Sequence, residues 1–522
     1  MSKHSLLLLF AISLVIVLIA ASFQSSPGYM DADYHTYMGR QLATGQGFTE
    51  QILWNYLDDP SGLPHPSHTY WPPLPSVLAA TGIRLFPSLE TFTAARLPFM
   101  LLAALVAPLS ALLAFQLTAE PKTAVFAGAL ALLPAYYLPY ISTTDSFTPS
   151  MVLGALLFLC MLKDPKKANW SRTLALGLIA GLLHLSRAEG IIWLLVALLA
   201  VNFGSSDAHS HSAPWKSFAL VVGGYVLVMG PWFLRNYLSF GSLLAPGTWR
   251  ALWLTSYDEL FSFPASQLGL QHWLNSGWGS IMLARISALG RNLLGALAVQ
   301  GHVFLAPLVI AATLAYRKVA TVRLAVLAWL ILLIAMSWAF PYVGVRGGFF
   351  HASATLQPLV WVLAAIGLQR FIDWGARRRG WQPVLARQVF QSAALLFGML
   401  LSIFVFTRRV INWDQEAEQY VELSASLDSL NIPATAIIMV NNPPGFALTS
   451  AHPAIVIPNG GLAITQAAAK FLNADYLVLE SNYPADLTAV YNSPSDTPGM
   501  RYLGTFEGAH LFALDFSSEI SP

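Results

Sequence analysis

Long uninterrupted apolar runs dominate the chain, with little of the alternation or one-sided striping of a soluble fold. Runs long enough to cross, or nearly cross, a bilayer cover residues 5–21, 97–117, 123–140, 147–162, 173–185, 190–203, 218–234, 293–316, 324–340, 352–368 and 390–406. They predict about eleven transmembrane helices. The first run follows Lys3 and ends on Ala20, Ala21 and Ser22, as a cleaved signal peptide also does. Its length, and the many spans after it, favour a retained helix.

The polar stretches between the runs give an orientation. Loops 163–172, 207–216, 317–323 and 370–387 concentrate cations: Lys163, Lys166, Lys167 and Arg172; Lys216; Arg317, Lys318 and Arg323; Arg370, Arg377, Arg378, Arg379 and Arg387. The intervening loops are longer and poor in Lys and Arg, so the positive-inside rule places the N-terminus in the cytoplasm. Three segments then lie outside: 23–95, 239–292 and the tail 407–522. The tail changes character, with strand-like runs at 436–440, 454–457 and 476–479, a helical stretch at 462–472 and a hairpin over 502–516 turning at Glu507–Gly508. The expected architecture is a mainly α, polytopic helical bundle (1–406) carrying a small extracytoplasmic α/β domain (407–522). No internal repeat is visible.

Composition agrees with this reading. The chain is 56% hydrophobic and 10% charged, against roughly 25% charged in soluble domains. A net charge of +2 gives no reason to expect a nucleic-acid partner. The single cysteine, Cys160, lies in an apolar run and builds neither an internal disulfide nor a zinc site by itself.

The first outside loop carries the best chemical signal. In MDADYHTYMGRQLATGQGF, residues 30–48, Tyr34, Tyr37, Met38, Gln41 and Leu42 recur at helical spacing, and Gly45 and Gly47 end the helix. Asp31 and Asp33 therefore open a short amphipathic helix just past the first span, where a helix N-terminus stabilises a carboxylate. Service as a plain N-cap is the bland alternative for either one.

An acidic pair, a tyrosine and a Leu-Ala-x-Gly-x-Gly-Phe ending (Asp31, Asp33, Tyr34, Leu42, Ala43, Gly45, Gly47, Phe48) resemble the first loop of the C-type (GT-C) membrane glycosyltransferases. That group includes protein O-mannosyltransferases and lipid A aminoarabinose transferases. The family often has Asp-Glu where this chain has Asp-Ala-Asp; spacing to Tyr34 favours Asp31 slightly as the catalytic carboxylate. Tyr70-Trp71-Pro72-Pro73-Leu74 is similar to a Pro-Pro-Leu element leading into a second interfacial helix (75–86). Arg187-Ala188-Glu189-Gly190 resembles an Arg-Pro-Glu-Gly turn, and Pro231-Trp232, Arg235-Asn236-Tyr237 and Phe240-Gly241 resemble the segment closing the seventh span. The resemblance spans the first half of the chain and rests on the order of its motifs. It implies transfer of a hexose or pentose from a polyprenyl-phosphate carrier to an extracytoplasmic protein, glycolipid or polysaccharide, by a multi-pass protein of the inner or plasma membrane.

Such a reaction needs a base for the acceptor hydroxyl, here Asp31 or Asp33, and cations for the departing phosphate. Arg187, Arg235 and Arg346 fall at outside ends of spans; Arg235 is the first choice because Asn236 adds a donor, and Glu189 would orient Arg187. Taken singly, each is better explained as an arginine snorkelling to headgroups. Trp54, Tyr56, Tyr70 and Trp71 suit either sugar stacking or interfacial anchoring. Asp58, Asp59, His65 and His68 raise a divalent cation. Pro60, Pro64 and Pro66 make that loop irregular, so no cofactor is assigned and the cation stays an open alternative. Asp58 or Asp59 would instead hydrogen-bond the acceptor. Residues 344–351 suggest a flexible lid or a plain turn. A lipid-linked saccharide flippase and a non-enzymatic membrane scaffold are the rival readings. A flippase would bury its charges near the midplane, and here they cluster at span ends. A polysaccharide polymerase or ligase would place its key groups in a large late loop.

Overall fold

A computed structural model describes residues 1–162, 170–203 and 214–514. Seven helices among them are long and apolar enough to cross a membrane: Lys3–Ala21, Thr91–Thr118, Trp215–Phe240, Trp278–Gln300, Ala320–Ala339, Pro341–Arg379 and Pro383–Ser429. Shorter apolar helices include Phe147–Leu162, Ala188–Asn202 and Ala306–Ala315. The outward faces carry unpaired apolar side chains, such as Leu7, Leu227, Leu283 and Val384. Faces this apolar need lipid against them, and the chain is an integral, multi-pass membrane protein.

Every predicted run has a helical counterpart, but two are broken. The run at 123–140 is a helix only over Pro121–Ala131, then a 3₁₀ turn over Ala135–Tyr140. Pro134 and Pro139 deny it the amide hydrogens a continuous helix needs. The run at 293–316 begins earlier than predicted, as a helix from Trp278. It stops at Gln300 and restarts at Ala306. Lys163, Lys166 and Lys167, part of loop 207–216, and the last two residues of the predicted hairpin lie outside the described residues.

The first loop holds strands β1 (Thr49–Glu50), β2 (Ile52–Leu53) and β3 (His65–Pro66); the tail holds β4 (Ile438–Val440), β5 (Ala454–Val456), β6 (Tyr476–Leu479), β7 (Met500–Phe506) and β8 (Ala509–Leu514). The predicted strands and the Gly461–Leu472 helix are present, and β7 and β8 turn at Glu507–Gly508, both with positive φ. The tail is nonetheless not self-contained. Its six-stranded sheet runs β2-β5-β4-β6-β8-β7. The edge strand β2 comes from the first loop, parallel to β5, with Ile52 opposite Ala454 and Leu53 opposite Ile455. Ile52 and Leu53 are buried in the tail's core. A two-residue strand is too short to show periodicity, so the sequence gives no sign of this pairing. The tail is also tied to the end of the first span. Asp414 accepts hydrogen bonds from the backbone and hydroxyls of Ser25 and Ser26, and Trp413 Nε1 donates to the Ser26 carbonyl at 2.9 Å.

Inside the tail, Glu480 accepts a hydrogen bond from the Asn441 amide at 3.0 Å. Burial pushes its carboxyl up to about 7. The folded state therefore prefers the neutral acid. That preference stabilises the tail fully below the unfolded carboxyl pKa and is lost as pH rises through 7. A Glu480→Gln variant, neutral at all pH, should melt above wild type near pH 8 and together with it near pH 5. Thermal unfolding of the full chain in detergent tests this; an equal offset at both pH values refutes it.

Candidate functional site

The helix Met30–Ala43 forms as predicted, and neither aspartate caps it: position N-cap is Tyr29, without a side-chain cap. Asp31 and Asp33 instead stand about 200° apart around the helix and face different neighbours. Asp31 faces the membrane bundle. There Asp145, in the loop before the Phe147–Leu162 helix, and His351, in the short helix Phe349–Ser353, meet it, with one donor atom from each within 4.8 Å of the others. His351 Nε2 lies 3.0 Å from Asp145 Oδ2 and 3.7 Å from Asp31 Oδ2. Asp33 is buried against the tail, where Asn442 Nδ2 donates to it at 2.9 Å.

Each member of the cluster is held. His351 stacks on Phe147 at 4.0 Å, and its Nδ1 lies 2.9 Å from the Gly347 carbonyl. That bond keeps a hydrogen on Nδ1 and turns Nε2 towards the carboxylates, which favour a second hydrogen there and so the charged ring when no metal is bound. Gly347 has φ +123°, a conformation side chains rarely adopt. Asp145 accepts from the Tyr29 hydroxyl at 2.7 Å and the Ser146 hydroxyl at 2.9 Å. Arg187 pairs with Glu189 and reaches towards Ser146. Gly190 closes that turn; a Cβ there would fall 2.3 Å from His184 Cα.

Asp145 has only 1% of its side chain exposed and Asp31 27%, so Asp31 is the carboxylate a substrate can reach. Enclosure by protein still raises Asp31 to about 6, partly offset by His351. Asp145 is shifted the other way: burial opposes ionisation, but His351 and the donated hydrogen bonds outweigh it. Tyr257, in the segment between the helices Trp215–Phe240 and Trp278–Gln300, lies under the Arg346 guanidinium at 4.7 Å and feels the charge of Asp31. Tyr70 feels Arg187, Asp31 and Glu189. Gly347, Phe349 and Phe350, chain neighbours of His351, help line a cavity of about 560 Å³ whose wall also includes Arg291, Arg346, Arg408, Arg409 and Phe404.

Of the residues singled out in the sequence, Asp31, Arg187, Glu189, Tyr70 and Arg346 converge here. The others do not. Arg235 is caged by Phe48, Trp232 and Phe240 and donates to the Phe48 carbonyl at 3.0 Å. Asn236 bonds Arg235 and the Leu243 carbonyl. Tyr34 donates to Glu50 at 2.8 Å, and Glu50 and Asp58 flank His65. Burial opposes charge on His65, but these two carboxylates hold it at about 9. Asp59 pairs with Arg250 at 2.5 Å. His68 bonds Ser67 and Ser76, and with Tyr70 and Asn236 lines a separate cavity of about 80 Å³. His65 and His68 thus have different partners and do not form the cation site their spacing suggested. Residues 344–351 are helical, with a kink at Arg346 and Gly347, rather than an open lid.

Sequence reasoning missed Asp145 altogether and placed His351 only in the lid. The available signal was weak: Asp145 is a lone acid in the polar stretch STTDS, between two spans on the side assigned as outside.

The donor set suits a divalent cation. Two carboxylates and an imidazole converge, and the Nδ1 hydrogen bond to Gly347 is the outer support a metal-bound histidine normally has.

Comparison of the sequence with family models and with curated proteins returns no match. Among solved structures, the chain is similar to ArnT from Cupriavidus metallidurans bound to undecaprenyl phosphate (TM-score 0.61, 13% identity, 99% of each chain covered). It is also similar to the apo state of that protein (0.58, 13%, 97% of each). A third is an Archaeoglobus fulgidus oligosaccharyltransferase tethered with an acceptor peptide (0.55, 15%, 98% of this chain and 74% of that one). The chain shares the fold of these proteins.

If Asp31, Asp145 and His351 hold a cation, chelator-stripped protein should bind Mn²⁺ at one site. Asp145→Asn and His351→Ala should each weaken binding by about tenfold or more, and His65→Gln should not. Calorimetric titration reads this directly; no binding to wild type rejects the site.

Proposed function

We propose that this protein is a membrane glycosyltransferase moving a hexose or pentose from a polyprenyl-phosphate carrier to an extracytoplasmic acceptor. One observation carries the reading. A reachable carboxylate, Asp31, meets His351, whose chain neighbours Gly347, Phe349 and Phe350 line a cavity that combines four arginines with aromatic side chains. That pairing suits a phosphate with a lipid tail next to a proton acceptor. The fold, shared with ArnT and the oligosaccharyltransferase, agrees with it.

In this reading the acceptor hydroxyl oxygen forms a bond to the anomeric carbon, and the bond from that carbon to the phosphate oxygen breaks. The hydroxyl proton passes to Asp31, and the electron pair leaves on polyprenyl phosphate. With no cation bound, a raised affinity for protons suits Asp31 to this task. Arg346, Arg291 and the Arg408–Arg409 pair would hold the carrier phosphate. The apolar cavity of about 400 Å³ that shares Gln300 with the arginine-lined one would take its tail. Arg187, ordered by Glu189, would add positive charge beside Asp31. A divalent cation held by Asp31, Asp145 and His351 would supply further charge against the departing phosphate.

The site lies against the tail, and the cation-rich loops with Arg317, Lys318, Arg323 and Arg377–Arg379 follow the opposite ends of their helices. We infer a cytoplasmic N-terminus, an extracytoplasmic site and tail, and residence in the inner or plasma membrane. A flippase would need this polar cluster within the membrane depth rather than at the ends of spans.

The test is sugar transfer by purified protein from a panel of polyprenyl-phosphate hexoses and pentoses, with carrier binding followed separately. Asp31→Asn should lower transfer by about 10²–10⁴-fold and leave binding in place. Arg346→Ala should weaken carrier binding. Inactive wild type, or a fully active Asp31→Asn variant, rejects the proposal.

A further inference from the structure

The tail grips the helix that carries Asp31, and it does so on one face. Asp33 and Arg40 are seven residues apart, two turns, and so lie nearly in line. Both engage the short helix Pro443–Thr449 of the tail. Arg40 donates to the carbonyls of Ala447, at 2.5 Å, and Leu448, at 3.3 Å. Asp33 accepts from Asn442 Nδ2 at 2.9 Å.

Asn442 is fully committed. Its Nδ2 also donates to Glu416 at 3.1 Å, and its Oδ1 accepts from the Gly445 amide at 3.2 Å, capping the tail helix. Asn442 is 3% exposed and Asp33 5%. A Cβ on Gly445 would come within 2.6 Å of Asn442 Nδ2 and 3.1 Å of Asp33 Oδ2, so only glycine lets the tail helix approach this closely. One amide thus separates two enclosed carboxylates from different parts of the chain, Asp33 and Glu416. Loss of its donor hydrogens would leave two carboxyl groups facing each other, which must either take up a proton or move apart.

We infer that Asn442 is a positioning residue for the reaction proposed above: through Asp33 it fixes the rotation of the Met30–Ala43 helix and so the place of Asp31 beside Asp145 and His351. Asp31 and Asp33 share a rigid helix, so a turn that releases one displaces the other. A misplacement of about 1 Å at a reacting group costs about 10²-fold in rate. The tail is then part of the catalytic assembly.

The inference rests on Asp31 being the reacting carboxylate, and the experiment separates the two ideas. In the full-length protein, Asn442→Asp removes the amide; the double variant Asp33→Asn with Asn442→Asp exchanges amide and carboxylate. Asn442→Asp should lower kcat by about tenfold or more with KM for the carrier unchanged, and the double variant, which restores the contact at position 33 but not the one to Glu416, should regain part of the loss. Hydrogen exchange of the amides of residues 30–43 should quicken in the single variant and slow again in the double one. This readout needs no transfer, so inactive wild type counts against the reaction alone. An unchanged kcat in Asn442→Asp, a double variant as slow as the single one, or a loss confined to KM overturns the positioning role.

Discussion

The structure depends on a short helix with two occupied faces. Met30–Ala43 is not apolar enough to enter the bilayer and too short to stand alone in water. It persists because Asp31 faces one end of the bundle and Asp33 and Arg40 face the tail. Burying carboxylates on both sides costs several kcal/mol per ion unless each finds partners. Here the partners are His351 and Arg187 on one side and the Asn442 amide on the other.

The first loop and the tail therefore fold as one body. Strand β2 completes the tail's sheet, Tyr56 donates to the Val456 carbonyl, and Trp413 packs over Gly28, where φ is +84° and a Cβ would collide with the indole. These contacts join positions close to four hundred residues apart in sequence. The bundle supplies Asp145 and His351 beside Asp31, and the tail bonds Asp33 and Arg40 on the same helix.

Burial sorts the polar groups into two classes. Arg235, Asp58, Asp59, Glu50 and His65 satisfy one another or nearby carbonyls and aromatic rings, and their work is to shape the loop. Asp31 and the cavity arginines keep a face towards open space. A charged residue at the end of a span looks the same in sequence whichever class it joins. That is why Arg235, beside Asn236, looked the better phosphate ligand and Arg346 the lesser one.

The sequence by itself determined what local pattern determines. Continuous apolar runs specified helices in a membrane, cation-rich loops pointed to an orientation, and helical spacing over 30–43 placed two acids in the first turn of an exposed helix. The strand-like runs of the tail and its Glu507–Gly508 turn were legible for the same reason, since each is encoded within a few residues. Only the tertiary structure decided which acid faces the bundle, that Asp145 and His351 join it, that His65 and His68 part company, and that Ile52 and Leu53 belong to the tail's sheet. Those outcomes rest on contacts between segments far apart in the chain. No periodicity records such a contact, because its free energy belongs to the packed pair and to neither segment alone.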